Sequence, residues 1–303
     1  MDASLQAVLL CAGVALTTAF SLPLGLLPAR AGLPQVGRRD ALSAGAALLR
    51  RETRVSTLMS TTPVTVGGPE GKCSMPCPSA ISNTYFGVRH GHAVNNLESL
   101  ISSAPQVGTK IHPLTDLGKE QARDSSGALI AAIEAAASTR GKPFQRILAF
   151  TSDFTRARET AELCLKGLEG ESVAGTQFDS ITAEIKTELR ERWFGTLDDT
   201  VVTNYNLVWP QDMKDARSDA GYACESVEQV VTRLKSLIDS LEEEYEDAAI
   251  VFFSHADTVQ IFQTWMSGAD VRTFSQFRFK NGEVRQLVLN DPDSLPPPQP
   301  LDL

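Results

Sequence analysis

Three short apolar runs in the chain show no alternation between apolar and polar residues. They cover residues 85–88, 146–151 and 248–254. Uninterrupted runs of this length are typical of strands that are buried on both faces, as in a mainly parallel sheet covered by helices. Residues 283–289 are predicted to form a further, late strand.

Helical patterns lie between the apolar runs. Thr115 precedes an acidic first turn, as an N-cap does, and the helix predicted from it extends to Ala137. Further helices are predicted over residues 155–168, 226–245 and 257–266. Strands that alternate with helices predict a three-layer α/β/α sandwich with a mainly parallel central sheet.

Residues 1–60 are predicted to be a targeting leader that takes no part in the fold. Residues 5–16 form an apolar run of the length found in signal peptides, and a basic, acid-poor segment follows it. This order resembles the bipartite plastid leaders of algae with complex plastids, so a plastid location is predicted. Entry into the secretory pathway, or a membrane anchor formed by an uncleaved segment 3–29, stays open.

Low-complexity segments flank the predicted domain. Residues 61–82 are rich in Gly, Pro, Ser and Thr and have no hydrophobic period, which predicts a linker. The Pro-rich end, residues 291–303, is expected to be disordered and not to pack. The predicted domain therefore covers residues 83–290.

Charge is distributed unevenly along the chain. The formal net charge is −9. Residues 1–60 hold six Arg and three acidic residues, a balance of +3, which leaves −12 for residues 61–303. An acidic body argues against a nucleic-acid partner. No stable membrane association is expected once the leader is removed, and the oligomeric state stays undetermined.

The cysteines do not indicate a metal site. Cys73 and Cys77 have three residues between them, which is not the spacing of a zinc ribbon, and no histidine lies nearby in the sequence. A disulfide between these two residues stays open. Cys164 lies on the apolar face of a predicted helix, where core packing is expected.

Histidine and arginine residues follow the predicted strands. Arg89 and His90 come after the first strand, Arg156 lies just beyond the second, and His255 follows the third, in a chain with only four histidines. Ligands of such folds bind at the carboxyl ends of the strands. Because guanidinium groups match phosphate oxygens, these four side chains predict a pocket for a tetrahedral dianion.

The sequence Arg89-His90-Gly91-His92 resembles the RHG signature of the histidine phosphatase (phosphoglycerate mutase-like) superfamily. Further blocks are similar to those of this family and follow in its order: 151–161 (TSDFTRARETA), 189–195 (LRERWFG), 225–226 (ES) and 254–255 (SH). Together the blocks span about two hundred residues, from 83 to 289. The resemblance implies the phosphoglycerate mutase-like fold.

The resemblance also implies roles for individual residues. His90 would be the nucleophile that becomes a phosphohistidine, and Glu191 would protonate the leaving group. The phosphoryl oxygens would be held by four side chains, with the backbone after His90 as a further donor: Arg89, Asn96, Arg156 and His255.

Other residues are alternatives for these roles, and a few positions depart from the family pattern. Glu188, Asp198 and Asp257 are alternative acids near the same blocks. Asp153 stands where the family usually has Pro, which places an acid near Arg156 in the sequence. His92 is expected to support the site rather than to act in catalysis, and His112 to lie in a surface loop or at the rim of the site. Ala256 stands where the family often has Gly and is expected to offer its backbone N–H.

The resulting hypothesis is a phosphomonoesterase that acts on a small phosphorylated metabolite and needs no metal or other cofactor. A phosphoglycerate mutase-type phosphoryl transfer is an alternative, although the segment after Asn96 and the interval 198–221 differ from those of the glycolytic mutases. A non-catalytic module that binds a phosphorylated ligand is an alternative of a different class. The sequence does not identify the substrate.

Overall fold

The computed structural model describes residues 70–177 and 181–301. The leader predicted over residues 1–60 lies outside this range. Within the part of the chain that the structure describes, no helix combines the length and apolar character needed to cross a membrane.

Strands and helices alternate along the described chain. The strands are β1 Thr84–Arg89, β2 Arg146–Thr151, β3 Ser172–Val173, β4 Thr176–Gln177, β5 Glu184–Ile185, β6 Ala248–Ser254 and β7 Val284–Leu287. The α-helices are α1 Val94–Leu97, α2 Pro105–Gly108, α3 Asp116–Arg140, α4 Thr155–Lys166, α5 Tyr205–Asp212, α6 Val227–Glu244 and α7 Ala256–Met266. Short 3-10 helices cover Thr187–Leu189, Gly195–Leu197, Val202–Asn204, Val271–Gln276 and Pro292–Ser294.

The central sheet has five strands in the order β5-β2-β6-β1-β7. β6 pairs in parallel with both β1 and β2, and β2 pairs in parallel with β5, whereas β7 runs antiparallel to β1 at the opposite edge. The predicted mainly parallel sheet is therefore confirmed. β3 and β4 form a separate antiparallel pair.

Strand β6 explains why the sheet is covered on both faces. All seven of its residues are buried. Ile250 and Phe252 join the core that contains the apolar residues of α6 and α7, while Val251 and Phe253 join the core that contains those of α3 and α4. Because successive side chains of a strand point to opposite faces, one apolar run supplies both cores and the fold is the predicted three-layer sandwich.

The predicted helices form, with boundaries that shift by a few residues. Thr115 caps α3, with its hydroxyl accepting a hydrogen bond from the N–H of Gly118 at 3.2 Å. The helix runs past Ala137 to Arg140 and ends at Gly141, whose φ of 70° is accessible to glycine at little cost. The hydrophobic pattern does not predict α1, α2 and α5, because these helices have four to eight residues and too few turns to show a period.

Both flanking segments contact the domain where the structure describes them. In the segment predicted as a linker, the indole N–H of Trp265 lies 3.2 Å from the carbonyl oxygen of Met75 and 3.1 Å from that of Pro76. The Pro-rich end is expected not to pack, whereas Leu301 packs against the core and the N–H of Gln299 donates to the carbonyl oxygen of Gln276 at 2.8 Å. Apolar side chains spaced among the prolines allow this packing without secondary structure.

The cysteines described by the structure carry free thiols. Cys73 and Cys77 are half-buried and not bonded to each other, and the thiol of Cys77 donates to Oδ1 of Asn290 at 2.7 Å. Cys164 is buried in the core beneath α3 and α4, as the sequence predicts.

Candidate active site

The ends of three neighbouring strands bring the predicted site residues to one edge of the sheet. Arg89 is paired in register with Ser254, and Thr151 with Phe253. Because these strands are parallel, the residues that follow them emerge at the same edge. His90 thus lies beside His255, which is the N-cap residue of α7, and the centroids of the two rings are 5.1 Å apart.

His90 is held in one tautomer. Its Nδ1 lies 2.7 Å from the carbonyl oxygen of Gly91. A carbonyl only accepts hydrogen bonds, so Nδ1 carries the proton and Nε2 keeps its lone pair. Burial, reinforced by the charges of Arg156 and Arg89, lowers the pKa of His90 well below its ordinary value. The imidazole is therefore neutral and available as a nucleophile at neutral pH.

Arg156 lies directly against the lone pair of His90. Its Nε is 3.1 Å from Nε2 of His90, and its Nη2 donates to the carbonyl oxygen of Ser102 at 2.8 Å. The side chain is buried, and among the described residues no carboxylate forms an ion pair with it. The charge of Arg156 is therefore directed at whatever lies in front of His90.

His112 occupies a different place from the expected surface or rim. It is buried, and its Nδ1 forms a hydrogen bond of 2.9 Å with the hydroxyl of Ser102. Ser102 in turn holds Arg156 through its carbonyl group. The loop around His112 folds inward to support the arginine, a long-range contact that no local pattern in the sequence encodes.

Arg89 and His255 have polar atoms that no described residue satisfies. Nη1 of Arg89 donates to the carbonyl oxygen of Phe279 at 2.7 Å, but its buried Nε has no partner within residues 70–177 and 181–301. Nε2 of His255 forms a hydrogen bond of 2.9 Å with the hydroxyl of Ser152, and Nδ1 has no partner in the same ranges. Burial and the nearby Arg156 lower the pKa of His255 well below its ordinary value.

Asn96 lines the cavity in front of His90. Its side-chain oxygen Oδ1 accepts a hydrogen bond from the N–H of Ala93 at 3.0 Å. The side-chain amide can therefore serve the cavity. The N–H of Gly91 is engaged with the hydroxyl of Thr160 at 3.0 Å, and that of His92 with Gln121 at 2.8 Å. Because both N–H groups already donate hydrogen bonds within the protein, they are not free to bind phosphate in the way that the family resemblance suggests for the backbone after His90.

Glu191 is buried at the cavity wall. Its Oε1 accepts from the N–H of Arg192 at 3.0 Å and lies 3.4 Å from the N–H of Thr258, in the first turn of α7. Burial raises the pKa of Glu191, against the opposing charges of Arg156 and Arg89. Burial therefore favours the protonated carboxyl group of Glu191, the form that a general acid needs.

Two of the three alternative acids lie away from the cavity. Asp198 caps the neighbouring loop, where its Oδ1 accepts from the N–H of Ser103 at 2.6 Å and from that of Ala104 at 3.1 Å. Glu188 lines an adjoining surface cleft, to which Glu191 also contributes, but not the cavity itself. Asp257 does line the cavity and is buried beside Glu191.

Asp153, the acid in place of the family's Pro, pairs with Arg190. Nε and Nη2 of Arg190 lie 2.8 and 2.5 Å from the two carboxylate oxygens of Asp153. This pair ties the end of β2 to the loop that carries Glu191, and it leaves Arg156 without a competing carboxylate.

The cavity in front of His90 has a volume of about 220 Å³. Its lining comprises Arg89, His90, Asn95, Asn96, Leu100, Ser102, Arg156, Glu191, Val202, Tyr205, Trp209, Ala256, Asp257, Gln260, Arg278 and Phe279. One wall is aromatic, with the rings of Tyr205 and Trp209 stacked at a centroid distance of 5.0 Å and the guanidinium of Arg278 5.3 Å from the Trp209 ring.

Five of the six predicted site residues line the cavity: Arg89, His90, Asn96, Arg156 and Glu191. The sixth, His255, packs against the ring of His90 and is not part of the lining. The sequence-based prediction does not include the aromatic wall, Gln260 or Arg278. Tyr205 and Trp209 lie in the interval 198–221, which differs from that of the glycolytic mutases. Among residues 70–177 and 181–301, no group of three or more His, Cys, Asp or Glu side chains is arranged to hold a metal ion.

Comparison with protein families agrees with this geometry. The family model of the histidine phosphatase superfamily, branch 1, matches residues 86–294. The match covers more than half of the chain and contains the whole cavity. The chain belongs to the histidine phosphatase superfamily. It is a hydrolase of the phosphatase type.

Solved structures with a related fold are distant in sequence. A mycobacterial glucosyl-3-phosphoglycerate phosphatase, solved with VO3, is 21% identical with a TM-score of 0.49, and the likeness covers 68% of this chain and 92% of that one. A protein from Thermus thermophilus is 23% identical with a TM-score of 0.43, over 67% of this chain and 92% of that one. No curated protein matches the chain significantly.

Proposed function

We propose that this protein is a phosphomonoesterase that transfers the phosphoryl group of a small phosphorylated metabolite to Nε2 of His90 and then releases phosphate by hydrolysis. The observation that carries the proposal is the pair formed by His90 and Arg156. Nδ1 of His90 is committed to Gly91, and Nε2 faces a buried guanidinium at 3.1 Å. A neutral nucleophile beside a fixed positive charge suits attack on a phosphate dianion.

The first step forms the bond between Nε2 and phosphorus as the bond to the leaving oxygen breaks. Charge spreads over the three equatorial oxygens during this transfer. Arg156 contacts the attacking nitrogen, and the ring of His255 packs against that of His90. With Arg89, which lines the cavity, they are the donors proposed for these oxygens, and Asn96 can add its amide. Their burial strengthens these interactions because water does not screen them.

Glu191 supplies the proton that the leaving alkoxide needs. In the second step the resulting carboxylate takes a proton from water, and the hydroxide attacks the phosphohistidine. Phosphate leaves and His90 and Glu191 return to their starting protonation states. A positioned acid of this kind contributes roughly 10²–10⁴-fold to the rate.

The size of the cavity suits a single phosphoryl group and the part of the substrate next to it, while Glu191 also lines an adjoining surface cleft with room for more of the leaving group. The cavity volume of about 220 Å³ lies below the roughly 300–1,000 Å³ of sites that enclose drug-sized ligands. The acidic surface of residues 61–303 disfavours large polyanions, whereas the buried arginines of the cavity attract a single phosphate group.

Phosphate release from a panel of phosphomonoesters by the full-length chain tests this proposal. Activity is expected to persist with a chelator, and His90→Ala is expected to abolish phosphate release. His92→Gln is the matched control, because the ring of His92 hydrogen-bonds to Thr115, outside the cavity lining. Wild-type rates in His90→Ala would refute the mechanism, and interconversion of phosphoglycerates without phosphate release would refute the phosphatase assignment.

A further inference from the structure

Two carboxyl groups line the cavity among the described residues, and the mechanism above uses only one. Glu191 is 8% exposed and Asp257 is 2% exposed. Glu191 comes from the loop after β5, whereas Asp257 lies in the first turn of α7. The hydroxyl of Thr258, the neighbour of Asp257, donates to the carbonyl oxygen of Arg190 at 2.8 Å and lies 3.3 Å from Oε1 of Glu191. The same turn of α7 therefore carries one carboxyl group and contacts the loop that carries the other.

Asp257 shares its ion-pair partner, Arg192, with a second carboxylate. Its Oδ2 accepts from the indole N–H of Trp209 at 3.2 Å and lies 3.5 Å from Nη1 of Arg192. Arg192, however, is already paired with Asp212 through two hydrogen bonds of 2.6 and 2.7 Å. The charges of Arg192 and Asp212 cancel, and an ionised Asp257 would add a net negative charge beside Glu191.

Other charged groups face the two carboxyl groups from every side. Arg89 and Arg156 act on Glu191, and Arg192 and Asp212 act on Asp257. The same cavity is lined by the neutral ring of His90, by Tyr205 and by Arg278, and the ring of His255 packs against that of His90. Arg233, 3.5 Å from the hydroxyl of Thr258, lines the adjoining cleft together with Glu191.

Two neighbouring carboxylates that are both buried away from water do not both ionise without cost. Burial, followed by the charge of Glu191, raises the pKa of Asp257 to about 7. Burial also raises the pKa of Glu191. Both shifts oppose ionisation of the two groups together, so the cavity favours a state in which one of them keeps a proton.

We propose that Asp257 is a positioning residue for the acid step: it shares one proton with Glu191, holding that proton in the free enzyme and leaving it to Glu191 when a phosphate dianion enters the cavity. This inference rests on the proposed function for its catalytic consequence. In the free enzyme the charges of Arg89 and Arg156 favour the ionised form of Glu191. A bound dianion offsets those charges and favours its protonated form.

The proton balance closes over the cycle. The proton passes from the pair to the leaving oxygen while phosphorus moves to Nε2 of His90. Water then returns one proton to the Glu191 carboxylate and its hydroxide to phosphorus. The products are an alcohol and hydrogen phosphate, and the pair again holds one proton.

The pH dependence of kcat in Asp257→Asn tests the catalytic part. With an alkyl phosphate, whose leaving group needs the acid, the alkaline limb is expected to move to lower pH by about 1–2 units, because Glu191 loses a neighbouring negative charge. With p-nitrophenyl phosphate the shift is expected to be smaller. Equal shifts with both substrates, or no shift with either, would overturn the inference.

A double-mutant cycle separates this effect from a change in folding. In a Glu191→Gln background, Asp257→Asn is expected to cause no further change of the pH profile, since the acid it influences is gone. Additive effects would contradict a shared proton. Asp212→Asn is the matched control for disturbance of Arg192, and an identical pH shift there would assign the effect to Arg192 instead.

Proton uptake on binding sulfate tests the pair without any turnover. Calorimetry in buffers of different ionisation enthalpy counts the protons taken up when the sulfate dianion binds at pH 6. Asp257→Asn is expected to take up more protons than the wild type, because its Glu191 has no shared proton to receive. Equal uptake would refute proton sharing. Absence of phosphatase activity in the wild type would refute the proposed function alone and leave this measurement standing.

Discussion

Nε of Arg156 lies 3.1 Å from Nε2 of His90, the atom to which the proposed mechanism transfers the phosphoryl group. The arginine fills the place next to the nucleophile, and Ser102 holds its other end. A substrate oxygen can take over this hydrogen bond when Nε2 begins to bond to phosphorus. The same guanidinium group therefore contacts His90 in the free enzyme and would stabilise the phosphoryl oxygens in the transition state.

Arg156→Lys is expected to lower kcat for phosphomonoester hydrolysis by about 10²–10³-fold. A lysine keeps the charge but loses the fork that contacts both Ser102 and the cavity, and a lost transition-state donor typically has an effect of this size. Steady-state kinetics measure the change. Arg158→Lys, on the exposed side of the same helix, is the control and should retain wild-type kinetics.

The neutral state of His255 has a consequence for stability against acid. Its pKa is well below the ordinary value in the folded protein, whereas the unfolded chain binds a proton near pH 6.5. Between these two pKa values the unfolded state holds more protons, so this group lowers stability as pH falls below about 6.5.

His255→Asn is accordingly expected to lose less unfolding free energy than the wild type between pH 7 and pH 5.5. Urea denaturation at several pH values measures how the unfolding free energy of each protein depends on pH. Subtracting the two dependences removes the contributions of the titratable groups that both proteins share. Parallel pH dependences of the two proteins would show that burial of His255 does not oppose its protonation.

The buried pair of Arg192 and Asp212 connects the Glu191 loop to the helix that carries the aromatic wall. Asp212→Ala would leave a buried guanidinium without its main partner and is expected to cost about 3–5 kcal/mol of unfolding free energy. KM is expected to rise as well, because α5 carries Tyr205 and Trp209.

Chemical denaturation and steady-state kinetics together check this expectation. Asp215→Ala is the comparison, since Asp215 forms an exposed pair with Arg217 and its loss should leave stability nearly unchanged. If both substitutions reduced stability equally, burial of the pair would not be the cause.

The Pro-rich end is expected to influence substrate binding. Nη2 of Arg278 donates to the carbonyl oxygen of Pro300, and the same guanidinium lies over Trp209 at the cavity wall. Deleting residues 295–303 removes this support and should raise KM several-fold with little change of kcat. Leu97→Ala, a change of an exposed side chain, provides a control for general disturbance. An unchanged KM in the truncated chain would exclude a role for this segment.

Much of the fold follows from local pattern. The uninterrupted run of β6 requires cover on both faces, and Ser226 begins α6 with a capping box, in which its side chain and that of Gln229 each bond the other's backbone. The short helix α5 carries no such pattern, since eight residues with an internal proline have neither a period nor a cap. Its position depends on Arg192 instead.

The sequence by itself determined the alternation of strands and helices, the edge at which His90, Arg156 and His255 meet, and the family to which the blocks belong. These features depend on periodicity and spacing within short stretches. Tertiary structure alone decided that Asp153 binds Arg190, that His112 supports Ser102, and that Asp257 joins Glu191 in the cavity. Such pairings depend on which distant segments pack together and exclude water, because burial sets the strength and the protonation of each contact.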